Sequence, residues 1–158
     1  KTDGTLWGWG TDYYGELGDS SGNYPFTYSA VQTIAGGNNW KQVACGTQNT
    51  AAIKTDGTLW TWGSDGYGQL GINTTTNTSS PTQVGTNLWS QIGAGGYHSL
   101  AIQSNGTLWS WGSNTYGQLG VGSSSAQLAS IATPVKVGTG AGWSKIFTIN
   151  FIVPDFQN

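Results

Sequence analysis

Asn105-Gly-Thr-Leu-Trp-Ser-Trp-Gly-Ser-Asn-Thr-Tyr-Gly-Gln-Leu-Gly120 has two other versions in this chain. They are Asp3-Gly-Thr-Leu-Trp-Gly-Trp-Gly-Thr-Asp-Tyr-Tyr-Gly-Glu-Leu-Gly18 and Asp56-Gly-Thr-Leu-Trp-Thr-Trp-Gly-Ser-Asp-Gly-Tyr-Gly-Gln-Leu-Gly71, displaced by 53 and 49 residues. A second marker, Trp40-x-x-Val43, Trp89-x-x-Ile92 and Trp143-x-x-Ile146, recurs with the same period. All nine tryptophans therefore occupy repeat positions. A period near fifty residues without helical periodicity is that of a four-stranded propeller blade.

Four strands per unit are expected: at Trp-x-x-Val/Ile, at the short Ala-Ile run, at Leu-Trp-x-Trp, and last near Val31 to Ile34, Thr82 to Val84 and Val135 to Val137. Asp-Gly and Asn-Gly after each Ala-Ile run predict tight type I′ hairpins. The Ser/Thr/Asn-rich segments Ile72 to Ser80 and Val121 to Ala132, reaching toward Pro81 and Pro134, read as surface loops. In Trp-x-Trp both indoles point to one face of a strand, so they are expected to pack blade against blade. The structural set is thus Trp7, Trp9, Trp40, Trp60, Trp62, Trp89, Trp109, Trp111 and Trp143, with Leu17, Leu70 and Leu119 dropping between blades beside flanking glycines.

Composition agrees with strands and turns. Gly (26), Thr (21) and Ser (16) dominate and charged residues are 8% of the 158 positions, too few for the exposed faces of long helices. Aromatic residues at 13% argue against disorder. Five Lys, no Arg and a net charge of −2 leave no phosphate-neutralising surface, so no nucleic-acid partner is expected. No apolar run approaches the roughly 20 residues of a membrane span, and no membrane insertion is expected. The single cysteine, Cys45, does not fix a redox compartment. Opening at Lys1-Thr-Asp-Gly in mid-pattern, the chain reads as a processed or excised piece.

The pattern from Trp89 to Gly120 resembles the blade repeat of the regulator of chromosome condensation family. The resemblance extends over Trp40 to Gly71, with Asn49 where the later unit has His98, over Lys1 to Gly18, and so to roughly residues 1 to 146. It implies an all-β propeller, usually of seven blades, whose relatives serve as nucleotide-exchange factors, inhibitors of secreted enzymes and protein-binding modules. Two complete and two partial units are expected: 1–35 as a partial unit, 36–84 and 85–137 as full units, and 138–146 as the start of another. The apolar residues 147–158 are expected to form a closing or docking tail. The open edges require cover from a larger parent chain or from self-assembly.

Catalytic constellations are scarce. Cys45 aligns with Ala94, which predicts a small buried residue, and His98 aligns with Asn49, which predicts hydrogen bonding to backbone near a turn. Asp12, Glu16, Asp19 and Asp65 read as a solvated acidic face rather than a cation site. No enzyme, cofactor or metal is expected. The sequons at Asn73, Asn77 and Asn105 bear on function only in a secretory setting. Candidate partner-binding residues are Tyr13, Tyr24, Phe26 and Tyr28 in the first unit, with Phe151 and Phe156 in the tail. The expected function is a binding or structural module whose rim loops meet a protein or glycan, extracellular or on a virus particle, with a cytoplasmic setting as the alternative. The competing reading is a regulator of a partner enzyme or GTPase.

Overall fold

The computed structural model describes residues 1–21, 25–34, 37–122 and 128–148. Ten strands form in chain order: β1 (Trp7–Thr11), β2 (Phe26–Gln32), β3 (Trp40–Cys45), β4 (Asn49–Lys54), β5 (Leu59–Gly63), β6 (Thr78–Gln83), β7 (Trp89–Ala94), β8 (His98–Gln103), β9 (Leu108–Ser113) and β10 (Ser130–Lys136). Every pairing is antiparallel, and the strands group as β1-β2, β3-β4-β5-β6 and β7-β8-β9-β10. The fold is all-β, with three consecutive sheets stacked face to face. The described residues contain no helix long and apolar enough to cross a membrane.

The core lies between the second and third sheets. Ala51, Ile53, Leu59 and Val84 of the second pack against Trp89, Ile92, Ala101 and Trp111 of the third. At roughly 25 cal/mol per Å² of apolar surface removed from water, these large side chains dominate the stabilisation of the stack. β4 and β8 are interior strands and are buried along most of their lengths, which is why their Ala-Ile runs carry no polar alternation.

Two expectations are corrected by the backbone. The outermost strands start earlier than expected, at Phe26, Thr78 and Ser130, so the ends of both anticipated loops are strand. These edge strands are half-exposed and rich in Ser and Thr, so they lack the alternation that marks a strand, and Pro81 and Pro134 are tolerated where no outer neighbour needs an N–H. The β4–β5 hairpin is also not type I′. Gly57 N donates to Lys54 O (2.9 Å) and Lys54 N to Thr58 O (3.0 Å), with positive φ only at Gly57, giving a three-residue loop with a glycine bulge. Asp56 favours that turn by accepting from Thr58 N and Oγ1, and these bonds hold its carboxyl below the usual carboxylate range. Asp3 is held in the same way by Thr5, and Asn105 repeats the bonds with Thr107.

Candidate interaction faces

Antiparallel topology sends the β1–β2, β5–β6 and β9–β10 connections, with the β3–β4 and β7–β8 turns, to one end of the stack. Each long connection opens with the Tyr-Gly-x-Leu-Gly turn. Its internal bonds repeat: Glu16, Gln69 and Gln118 accept through their side chains from the amides of Tyr14, Tyr67 and Tyr116 at 2.8 to 2.9 Å. Asp12, Asp65 and Asn114 accept from the amides of Leu17, Leu70 and Leu119. The leucines point inward and are buried, while Tyr14, Tyr67 and Tyr116 stay exposed.

The acidic stretch is therefore not one solvated face. Asp12 and Asp65 are buried turn anchors; Asp65 also accepts from Thr74 Oγ1, and burial pushes its carboxyl up to about 6. Tyr67 crosses to Tyr97 of the third sheet with ring centroids 5.1 Å apart, so the tyrosines line a face shared by adjacent sheets. The tyrosine of this motif was the legible signal for that face: it recurs at one position while tryptophan fills the buried ones.

The same turn builds the contact between sheets. The Glu16 carbonyl accepts from Trp62 Nε1 and Thr50 Oγ1, both at 2.8 Å; the Gln69 carbonyl accepts from Trp111 Nε1 and Ser99 Oγ, both at 2.9 Å. A Cβ on Gly18 would lie 2.8 Å from Trp62 Nε1, and one on Gly71 2.6 Å from Trp111 Nε1, so the motif's last residue is glycine because the next indole occupies that space.

The two indoles of Trp-x-Trp consequently differ. Trp62 and Trp111 cross to the preceding sheet, whereas Trp7, Trp60 and Trp109 donate to Thr5, Thr58 and Thr107 two residues upstream. Lys54 Nζ lies between Trp40 and Trp60, 4.8 and 4.4 Å from their ring centroids, and Lys1 lies over Trp7 at 3.8 Å. Within their own sheets Trp40 packs edge-on to Trp62 and Trp89 packs tilted against Trp111, each pair at 5.9 Å. Trp9 and Trp143 depart from the expected packing role among the described residues: Trp9 is 67% exposed, and Trp143 is exposed as well.

Among the candidate partner residues, Tyr13 is exposed on the loop end. Phe26 and Tyr28 meet edge-on at 5.4 Å on the outer strand β2. Tyr24, Phe151 and Phe156 lie outside the described residues. Cys45 is exposed among the described residues, rather than buried like Ala94. Partial shielding still pushes its thiol up, away from nucleophilic character. Among the described residues His98 makes no side-chain hydrogen bond to a turn; it lies against Gly95, and burial pulls its imidazole pKa down. Asn49 at the equivalent place is buried with neither amide atom partnered among the described residues. No group of three potential metal ligands occurs among the described residues.

The pattern of the Regulator of chromosome condensation (RCC1) repeat matches residues 3–53, 56–102 and 105–147, and a second pattern of the same description matches 40–69 and 89–118. The probable E3 ubiquitin-protein ligase HERC4 of Homo sapiens is 33% identical over 81 residues, which is 51% of this chain and 8% of that protein. The ultraviolet-B receptor UVR8 of Arabidopsis thaliana is 41% identical over 69 residues, 44% of this chain and 16% of that protein. The chain thus spans only a small part of these relatives. Among solved structures, yeast RCC1 (Prp20) bound to Kap60 superposes with a TM-score of 0.78 at 19% identity, over 88% of this chain and 34% of that one. Human WBSCR16 gives 0.72 at 24% identity, over 84% and 34%. With its fold, its turn chemistry and most of its length accounted for by this repeat, the chain belongs to the regulator of chromosome condensation repeat family.

Proposed function

We propose that the chain is a non-enzymatic recognition module that binds a protein through its loop end. The carrying observation is the placement of Tyr14, Tyr67 and Tyr116 at one position of three internally bonded turns, exposed and beside Tyr13 and Tyr97. Tyrosine supplies large contact area with few rotatable bonds, and turns fixed before binding lower the ordering cost of association. With Asp12 and Asp65 used as buried anchors, and burial pulling His98 down and the Cys45 thiol up, the described residues converge on no nucleophile–base pair. Solved relatives are described with protein partners: Kap60 for yeast RCC1, and Gsp1p and histones for Prp20p of Saccharomyces cerevisiae.

The test is a photo-crosslinking residue at Tyr116, presented to soluble extract and separately to a glycan array, with Tyr14→Ser/Tyr67→Ser/Tyr97→Ser as the control protein. Discrete protein adducts lost in the triple variant are expected. Glycan binding without protein adducts, or adducts indifferent to the three substitutions, would overturn the proposal. Faster nucleotide release from a crosslinked GTPase would sharpen it to the regulatory form.

A further inference from the structure

The contact of the first sheet with the second and that of the second with the third differ at their outer rims. Ser20 and Asn73 each follow the turn glycine by two residues, and among the described residues they alone, besides glycines, have a positive φ, 60° and 62°. Each donates its amide to the outermost strand of the next sheet, Ser20 to Ser79 O (3.1 Å) and Asn73 to Ala132 O (2.9 Å). The following residue on that strand is Ser80 in one case and Thr133 in the other. Ser20 Oγ and Ser80 Oγ share a hydrogen bond of 2.6 Å, which closes the rim of the first contact. The side chains of Asn73 and Thr133 share none among the described residues; both line a crevice of about 400 Å³ between the second and third sheets.

The rest of that crevice suits an uncharged polar guest. Thr82 and Asn87 line it beside Trp89 and Trp109, whose rings meet edge-on with centroids 6.3 Å apart. None of its lining side chains is charged. Trp89 is 2% exposed, and its Nε1 is the one buried indole nitrogen without an acceptor among the described residues. A buried N–H with no partner is costly, and an oxygen that reaches it recovers that cost. In the second sheet the equivalent indoles, Trp40 and Trp60, hold Lys54 Nζ between them. At that repeat position the third sheet has Gln103, whose Oε1 accepts from Thr107 Oγ1. The crevice therefore offers no cation to an anionic group and no carboxylate to a cationic one.

We propose that this crevice is a binding site for a neutral sugar: one pyranose unit with its hydroxyls on the Asn73, Asn87 and Thr133 side chains, its apolar ring face against Trp109, and one oxygen accepting from Trp89 Nε1. Amides and hydroxyls offer donors and acceptors together, which a polyol needs and a purely apolar guest leaves unpaired. An indole beside them supplies the apolar surface that the C–H face of a sugar covers. The crevice has the size of a small-molecule site and combines aromatic walls with a few polar groups, as such sites do. Trp89 opens β7 at the end of the stack opposite the tyrosine turns, so the sugar and a protein partner occupy separate places.

The test is titration of the whole chain with the methyl glycosides of glucose, mannose and galactose, read from the indole N–H signals in proton–nitrogen correlation spectra. The Trp89 signal is assigned by sequential connectivity, with Trp89→Phe as a check where that variant folds. At least one of the three sugars is expected to shift the Trp89 signal saturably at millimolar concentration, whereas the phosphorylated form of the same sugar is not. Asn73→Ser combined with Thr133→Ser copies the closed rim of the first contact, with serine at a φ that Ser20 already adopts. This double variant is expected to keep the other indole signals in place and to weaken binding at least about ten-fold. Asn87→Ala, a change on the exposed side of the crevice, is expected to weaken binding by a smaller factor. Absence of a saturable shift with all three sugars would overturn the proposal. So would shifts confined to indoles other than Trp89 and Trp109, affinity unchanged in the double variant, or equal binding of the phosphorylated sugar.

Discussion

The contact between the first and second sheets and that between the second and third are built from the same motif but only one is complete. Their outer halves agree: Trp62 on Glu16 and Trp111 on Gln69 use the same indole donor, at 2.8 and 2.9 Å, beside a glycine whose Cβ would lie 2.8 or 2.6 Å from that nitrogen. Their inner halves do not. Ile92 is 3% exposed against β3 and β4, whereas Val43, at the same repeat position, is 46% exposed among the described residues. Among the described residues the outer hydrogen-bonded indole is present at both contacts and the inner apolar layer at the second.

The largest expected effect separates a used indole from an unused one. Trp111→Ala should cost about 3 to 5 kcal/mol in urea unfolding, through lost burial and the lost indole bond to the Gln69 carbonyl, which keeps only Ser99 Oγ, while Trp9→Ala should change stability by less than about 0.5 kcal/mol. Equal losses would mean that exposure of the first indole says nothing about its role. Next, Gly71→Ala combines a left-handed φ with a collision against Trp111, and Gly120→Ala has the left-handed φ alone. The latter should cost about 1 to 2 kcal/mol and the former clearly more; a reversed order would refute the clearance argument.

Asp65 provides a pH-dependent comparison with its neutral counterpart Asn114. Burial raises its carboxyl to about 6 in the folded chain from an ordinary 3.8, so the folded state holds the proton more tightly than the unfolded one. Its unfavourable contribution is absent below about pH 4, grows as pH rises, and is complete above about 6. Asp65→Asn should therefore raise the melting temperature at pH 7 relative to wild type, with the difference shrinking toward pH 4. A constant difference would exclude titration of this group as its source. The smallest effect concerns the cation between two indoles: Lys54→Gln, taking the residue of the following unit, should cost about 0.5 to 1 kcal/mol by thermal unfolding. A neutral result would assign Lys54 to packing of its aliphatic stem alone.

The repeat, its period, the interior strands and the inward leucines were legible because each follows from local chemistry. Glycine permits positive φ in the turns, alternation puts two indoles on one side of a strand, and Ala-Ile runs suit a strand covered on both faces. The outer strands start earlier than the sequence predicts because half-exposed Ser/Thr edges leave no periodic trace. The tyrosine face is half-visible in the sequence: its motif is plain, but the first unit's aromatic cluster is a denser signal, and of that cluster Phe26 and Tyr28 lie on β2 rather than at the loop end.

By itself the sequence determined that this chain builds all-β units of one design, since turn conformation and side-chain alternation depend on neighbours a few residues apart. Only the tertiary structure decided which indole joins two sheets. That choice rests on carbonyls 46 and 42 residues earlier in the chain, brought within 3 Å by stacking, and on whether a neighbouring sheet is present to exclude water from the bond.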